Sequence, residues 1–72
     1  MRTYEIKGPC PELGLVLMRL VNEVSIGEEA RIVSKWRYVG QDVANTAPYI
    51  GLEVLKVADG PEGVEVIVRR KA

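Results

Sequence analysis

The apolar residues between Glu12 and Val24 recur at the spacing of an amphipathic helix, and this period constrains the fold more than any other feature. They occupy positions i, i+3, i+4, i+7, i+8 and i+11: Leu13, Val16, Leu17, Leu20, Val21 and Val24. Such spacing places them on one face of a helix, which must pack against another element. Leu15 and Met18 widen this stripe, and we interpret them as the margin of the core rather than as a partner surface.

Four other segments alternate between apolar and polar residues, a pattern typical of strands. They are Arg2–Ile6, Glu29–Ser34, Leu52–Val57 and Val64–Arg70. A second, poorer helix is predicted from Val39 to Ala47, because Pro48 ends or kinks it and Gly51 suits the position after a helix. Residues 59–63 are predicted to form the hairpin loop between the last two strands.

The element order β-α-β-α-β-β predicts a single α+β domain over residues 1–72. We expect a two-layer α/β sandwich in which two helices cover one face of a four-stranded mixed sheet. The other face, called the open sheet face below, is expected to carry Val33, Leu55, Val57 and Ile67. Because these side chains are apolar, a homo-oligomer that covers the open sheet face is expected.

The composition excludes several classes of function. Ten basic and ten acidic residues cancel, which argues against a general electrostatic binder of nucleic acid. The chain has no histidine and one cysteine, so the usual Cys-His and Ser-His-Asp triads and the common zinc sites are excluded. Neither a metal nor an organic cofactor is expected. A single cysteine indicates the reducing cytoplasm, and no segment approaches the ~18 apolar residues of a membrane span.

Cys10 is the candidate reactive residue because of its place in the chain. Gly8-Pro9 ends the first strand and Pro11 suits the first helical position, which would put Cys10 at the N-cap. A thiol there faces the positive end of the helix dipole, and its pKa is lowered from about 8.5 to roughly 3.5–7.5. Without histidine, such a thiol suits a carrier rather than a self-sufficient hydrolase. The alternative is a buried cysteine that acts as a small hydrophobe.

A basic-aromatic cluster follows the second strand and consists of Lys35, Trp36, Arg37 and Tyr38. Aromatic rings interleaved with cations are used to hold single-stranded nucleic acid, so this cluster is a candidate partner-binding site. The alternative is a loop that packs the tryptophan against the edge of the core and leaves the charges in solvent.

Several groups of residues, spread over nearly the full chain, match the pattern of a known family. They are Gly8, Cys10-Pro11, Ile26-Gly27-Glu28, Asp42-Val43, Gly51–Val57 and Arg69-Arg70-Lys71. With them the chain resembles the TusA/SirA-like family of small sulfur carriers. The resemblance implies the same element order, and it implies that Cys10 carries sulfur as a persulfide, supported by Pro11, Gly8 and Glu12. The implied partners are a cysteine desulfurase or other sulfur donor and a downstream acceptor protein, in tRNA thiolation, cofactor synthesis or sulfur metabolism.

The sequence departs from the family's pattern around the motif. Leu13 stands where the family's Cys-Pro-x-Pro motif has its second proline, and Pro9 alone separates Gly8 from Cys10. The family's Thr-Asp-Pro segment is replaced by residues 34–37, and Ala44 replaces the proline of its Asp-Ile-Pro. The changed segments are the motif itself and the loop that carries the basic-aromatic cluster.

Overall fold

The computed structural model of the chain describes residues 1–8 and 12–72. Its strands and helices follow the predicted order: β1 Arg2–Ile6, α1 Glu12–Glu23, β2 Glu29–Ser34, α2 Tyr38–Thr46, a 3-10 turn Ala47–Ile50, β3 Leu52–Gly60 and β4 Gly63–Arg70. Within these residues, no helix has the length and apolar character that crossing a membrane requires.

The four strands form one mixed sheet in the order β1-β2-β4-β3. β1 runs parallel to β2, and the other two neighbouring pairs are antiparallel. The parallel pair ends at Ile6 and Ser34, which lie opposite each other. The predicted α+β class with a four-stranded mixed sheet is confirmed.

One face of the sheet is buried together with the inner faces of both helices. The periodicity of the first helix is confirmed, since Val16, Leu17 and Leu20 are buried and Leu13 and Val21 pack against them. The sheet contributes alternate residues from its strands, as the pattern predicts. Its buried apolar members are Tyr4, Ile6, Ala30, Ile32, Leu52, Val64, Val66 and Val68.

The last two strands are longer than predicted. β3 continues to Gly60 and β4 begins at Gly63, so the predicted loop over residues 59–63 shrinks to a turn at Pro61-Glu62. Gly63 has a φ of +133°, which only glycine adopts readily, and it allows the chain to reverse within this short turn.

The second helix begins and ends differently from the prediction. α2 starts at Tyr38, one residue before Val39, and passes after Thr46 into the 3-10 turn Ala47–Ile50. Pro48 lies inside this turn and lacks the N–H that would continue an α-helix, so the α-helix gives way there. Gly51, with a φ of +80°, ends the turn at the predicted position.

The placement of Leu15 and Met18 at the core margin is wrong. Their side chains are 69% and 56% exposed. The physical reason is that the i, i+3, i+4 stripe of α1 already fills its contact with the sheet, and no element within residues 1–8 and 12–72 covers the next face of the helix. Both residues therefore form an apolar patch on the outside of α1.

The assignment of Val57 to the open sheet face is also wrong. A bulge between Val54 and Lys56 shifts the pairing of β3 with β4, so that Val57 lies opposite the buried Val66. A bulge inserts one residue and reverses the alternation of everything beyond it. Val57 therefore lies on the helix-covered side, where it approaches Gly40 of α2.

The open sheet face combines two half-buried apolar residues, Val33 and Ile67, with ion pairs. Arg31 contacts Glu65 at 3.1 Å and Arg69 contacts Glu53 at 2.6 Å on this face. Rows of charge beside apolar positions are typical of a sheet with one solvated face. A homo-oligomer through this face stays a prediction.

Candidate functional site

The parallel pairing of β1 and β2 brings the two predicted site regions to one edge of the sheet. Because parallel strands end on the same side, the chain leaves Ile6 and Ser34 at neighbouring positions. We call this the motif edge; its described residues are Lys7, Gly8, Glu12, residues 34–38 and the turn at 60–63. Cys10 and Pro11, which the sequence singled out, lie with Pro9 outside the described residues.

Ser34 joins the two strands where their pairing ends. Its hydroxyl donates a hydrogen bond to the carbonyl oxygen of Ile6 at 2.7 Å and accepts one from the backbone N–H of Trp36 at 3.2 Å. The residue is buried, and both functions of the hydroxyl are used. Ser34 therefore fixes the start of the basic-aromatic loop against the end of β1.

Trp36 reaches back to the segment that precedes Cys10 in the sequence. Its indole Nε1–H donates a hydrogen bond to the carbonyl oxygen of Lys7 at 3.2 Å. The side chain nevertheless remains 49% exposed, and the neighbouring Tyr38 is 45% exposed, with 6.4 Å between the ring centroids. The tryptophan is thus anchored by its polar end and still presents aromatic surface.

Glu12 contacts the same segment from the first helix. Its carboxylate accepts a hydrogen bond from the backbone N–H of Lys7 at 3.1 Å. The carboxylate also lies against Gly8, where an added Cβ would be 3.2 Å from Oε2. Glu12 therefore connects the residue after β1 to the first turn of α1, across the span that contains Cys10.

The two cations of the basic-aromatic loop differ in their contacts. Arg37 donates a hydrogen bond to the carbonyl oxygen of Gly60 at 2.9 Å and so holds the hairpin turn against the loop. Lys35 is exposed. Neither takes part in the ion pairs of the described residues, which lie on α1 and on the open sheet face. The hairpin turn thereby becomes a third component of the motif edge.

Sequence reasoning missed two residues that build the motif edge. Ser34 is the one buried polar residue among those described, and a serine at the end of an apolar strand was the available signal. Gly63 packs so closely that a Cβ there would overlap the carbonyl oxygen of Ser34 and lie 2.8 Å from the Cα of Lys35. No local sequence pattern predicts the contact of Gly63 with Ser34 and Lys35, because it joins segments that are distant in the chain.

Chemically, the motif edge offers hydrogen-bonded backbone, exposed aromatic rings and exposed cations. The described residues hold no group of three or more acidic, cysteine or histidine side chains placed to bind a metal ion. Away from this edge, burial and then the hydrogen bond to the Glu23 carboxylate raise the pKa of the Tyr4 phenol above its usual 10.0.

No protein-family model matches the chain, and no curated protein matches it either. The resemblance to the sulfur carriers therefore stays a prediction from the residues that carry it.

Proposed function

We propose that the protein is a sulfur carrier that binds sulfane sulfur on Cys10 and relays it between a donor protein and an acceptor protein. The observation that supports this most is the motif edge, where the side chains of Ser34, Trp36 and Glu12 bond the backbone of Ile6 and Lys7, just before residues 9–11. A carrier must present one thiol in a defined direction to two successive partners. Hydrogen bonds from separate elements to the flanking backbone supply such a support.

The chemistry is a pair of thiol exchange steps. The Cys10 thiolate attacks the terminal sulfur of a persulfide on the donor, which forms an S–S bond to Cys10 as the donor's S–S bond breaks. The donor leaves as a thiolate, and Cys10 becomes the persulfide. An acceptor thiolate then attacks that terminal sulfur and releases the Cys10 thiolate. The sulfane sulfur moves without net oxidation, so the carrier itself requires no cofactor, histidine or metal.

The partners in this proposal are a cysteine desulfurase or related sulfur donor and a downstream acceptor protein. Trp36 and Tyr38 expose aromatic surface on the motif edge, and exposed aromatic residues are enriched at protein interfaces. Free thiols persist in a reducing compartment, so the proposal places the protein in the cytoplasm.

The test is sulfur loading followed by intact mass. Wild-type protein incubated with a cysteine desulfurase, cysteine and pyridoxal phosphate should gain one sulfur, and alkylation should locate it on Cys10. Cys10→Ser should gain none, while Ser25→Ala, a change on the opposite edge, should load as wild type does. The proposal is wrong if wild type gains no sulfur from donor persulfide, or if Cys10→Ser still gains it.

A second candidate function follows from the exposed aromatic pair. Trp36 and Tyr38, beside Lys35 and Arg37, form a surface on which unpaired bases of RNA or a protein segment would stack. Binding of a single-stranded oligonucleotide should then weaken with salt and fall at least about tenfold in Trp36→Ala. Tyr49→Ala, which removes an exposed ring from the 3-10 turn, is the matched control. Binding that ignores both salt and Trp36 would refute this function.

A further inference from the structure

We propose that Ser34, Trp36 and Glu12 act together as positioning residues that set the direction in which the backbone enters the Cys10 segment. We call these three residues the backbone clamp. The expected effect on sulfur transfer rests on the proposed function, whereas the clamp itself is defined by contacts among described residues.

The clamp binds three successive polar groups of the main chain. Ser34 donates to the Ile6 carbonyl at 2.7 Å, the Lys7 N–H donates to Glu12 at 3.1 Å, and Trp36 donates to the Lys7 carbonyl at 3.2 Å. The first two groups belong to the peptide unit that joins residues 6 and 7, and the third belongs to the next unit. Two consecutive peptide planes are thus oriented by side chains from two different parts of the chain.

These contacts occur where the sheet no longer supplies partners. Ile6 and Ser34 form the last pair of the parallel strands, so the backbone beyond them leaves the ladder. Backbone N–H and C=O groups must still find partners, and irregular segments usually find them in water. At this edge three side chains, instead of water, bond these backbone groups. Because one contact comes from α1 and two come from β2 and its loop, the orientation of Lys7 is determined by the packing of both.

Glu12 gives the clamp its effect on the segment that follows. The hydrogen bond between Lys7 and Glu12 joins two described residues that lie five positions apart in the chain, one before and one after residues 9–11. Trp36 fixes the carbonyl that precedes Gly8. We expect this bond to fix the end of β1 relative to the start of α1, and the lowered pKa predicted from the sequence for the Cys10 thiol depends on the start of α1.

The experiment compares Trp36→Phe with Tyr38→Phe. Both substitutions leave a phenyl ring on the motif edge, but only the first removes an N–H that bonds Lys7. Two measurements are made on each folded variant: hydrogen exchange of the Lys7 amide, and the rate of Cys10 alkylation by a neutral reagent against pH. Thermal unfolding verifies that each variant is folded.

For Trp36→Phe we expect the Lys7 N–H, which bonds Glu12, to exchange faster because the next peptide unit is no longer held. We also expect the midpoint of Cys10 alkylation to shift toward the ~8.5 of a free thiol, so that the alkylation rate at pH 7 falls by about threefold to tenfold. Tyr38→Phe should overlay the wild type in both measurements. The Lys7 N–H itself bonds Glu12, so equal Lys7 exchange in the two variants would show that Trp36 does not act together with Glu12, and the proposal would be overturned.

Glu12 provides a second test should Trp36→Phe fail to fold. Glu12→Gln retains an oxygen that accepts the Lys7 N–H, and Glu12→Ala does not. Slow Lys7 exchange should therefore survive in the glutamine variant and be lost in the alanine variant; equal exchange in both would overturn the clamp. Since neither measurement uses sulfur, the clamp and the carrier function fail separately. Absence of sulfur loading in wild type with an intact Trp36 effect would reject only the carrier.

Discussion

The two edges of the sheet differ in the bonds that close them, which are mainly backbone bonds at one edge and side-chain bonds to backbone at the other. At the edge opposite the motif, backbone groups join the strand ends: the Gly27 N–H bonds the Arg70 carbonyl at 2.7 Å, and the Lys71 N–H bonds the Gly51 carbonyl at 2.8 Å. The Arg70 side chain adds a bond to the Val24 carbonyl. At the motif edge, the end of β1 is held by the side chains of Ser34, Trp36 and Glu12.

The two kinds of hydrogen bond respond differently to amino-acid substitution. A backbone hydrogen bond survives most substitutions, because every residue except proline supplies the same groups. A bond from an indole or a hydroxyl exists only while that residue is present. Single substitutions at the motif edge are therefore expected to change stability more than substitutions at the opposite edge, because the contacts of the motif edge depend on the identity of a few side chains.

The largest effect is expected for Gly63→Ala at the motif edge. A Cβ there overlaps the Ser34 carbonyl oxygen, and φ is +133°, so steric overlap adds to backbone strain. We expect a loss of about 3 kcal/mol or more in the free energy of unfolding. Gly27→Ala is the control from the opposite edge, since φ there is +88° but the space is open; it should lose about 1 kcal/mol. Urea denaturation measures both, and equal losses would contradict the close approach.

Ser34→Ala should produce the next largest effect. It leaves the buried Ile6 carbonyl and the Trp36 N–H without their partner, which we expect to destabilise the fold by about 2 kcal/mol. At the opposite edge, Ser25 uses its backbone N–H and carbonyl to bond Glu28, so Ser25→Ala should change stability by less than about 0.5 kcal/mol. If both serines proved equally tolerant, the two edges would not differ as described.

Tyr4 lies in the middle of β1, between the two edges, and its contribution to stability is expected to depend on pH. Its hydroxyl donates to Glu23 at 2.6 Å, and Tyr4→Phe should lose about 1 kcal/mol at pH 7. Burial and the Glu23 carboxylate raise the pKa of the Tyr4 phenol, so the native state holds this proton more tightly than the unfolded state. That stabilisation is complete below about pH 10 and is lost as the pH rises through the native pKa.

Chemical denaturation of wild type and Tyr4→Phe between about pH 8 and pH 11 measures this loss of stability at alkaline pH. The difference in stability between the two should shrink as the pH rises. Tyr49→Phe, at an exposed tyrosine, should follow wild type throughout. A difference that grows with pH would mean that the sign of the Tyr4 shift is wrong.

The smallest effect is expected on the outer face of α1, the helix that connects the two edges. Leu15→Gln and Met18→Gln should each change the free energy of unfolding by less than about 0.5 kcal/mol, because both side chains are exposed. Leu17→Ala, at a buried position of the same helix, should lose about 2–5 kcal/mol. Thermal unfolding distinguishes these outcomes, and a large loss at Leu15 would show that this face is covered in solution.

Most of the fold could be predicted because its signals are local. The bounds of β1 and β2 were predicted correctly, and so were the buried faces of α1 and β4. The predictions for β3 and β4 were wrong at two irregular positions, a bulge and a tight turn. The bulge between Val54 and Lys56 turned Val57 toward the helix-covered side of the sheet, and the tight turn at Pro61-Glu62 extended both strands of the hairpin.

The candidate site was predicted in its parts but not in its assembly. The motif residues Gly8 and Glu12 and the loop residues Lys35, Trp36, Arg37 and Tyr38 were identified as two separate alternatives. The structure brings the described members of both groups to one edge and joins them through Ser34. From the sequence they were predicted as alternative functional sites, because neither segment contains a signal that the two lie close together in the fold.

The helices and strands, and the buried side of each except β3 beyond its bulge, follow from the sequence alone, because they depend on the direction of successive side chains along a local period. The contacts of Trp36 with Lys7 and of Gly63 with Ser34 are seen only in the folded chain. Such contacts depend on strand order and on the parallel pairing of β1 with β2, which arise from burial of the whole core rather than from any one segment.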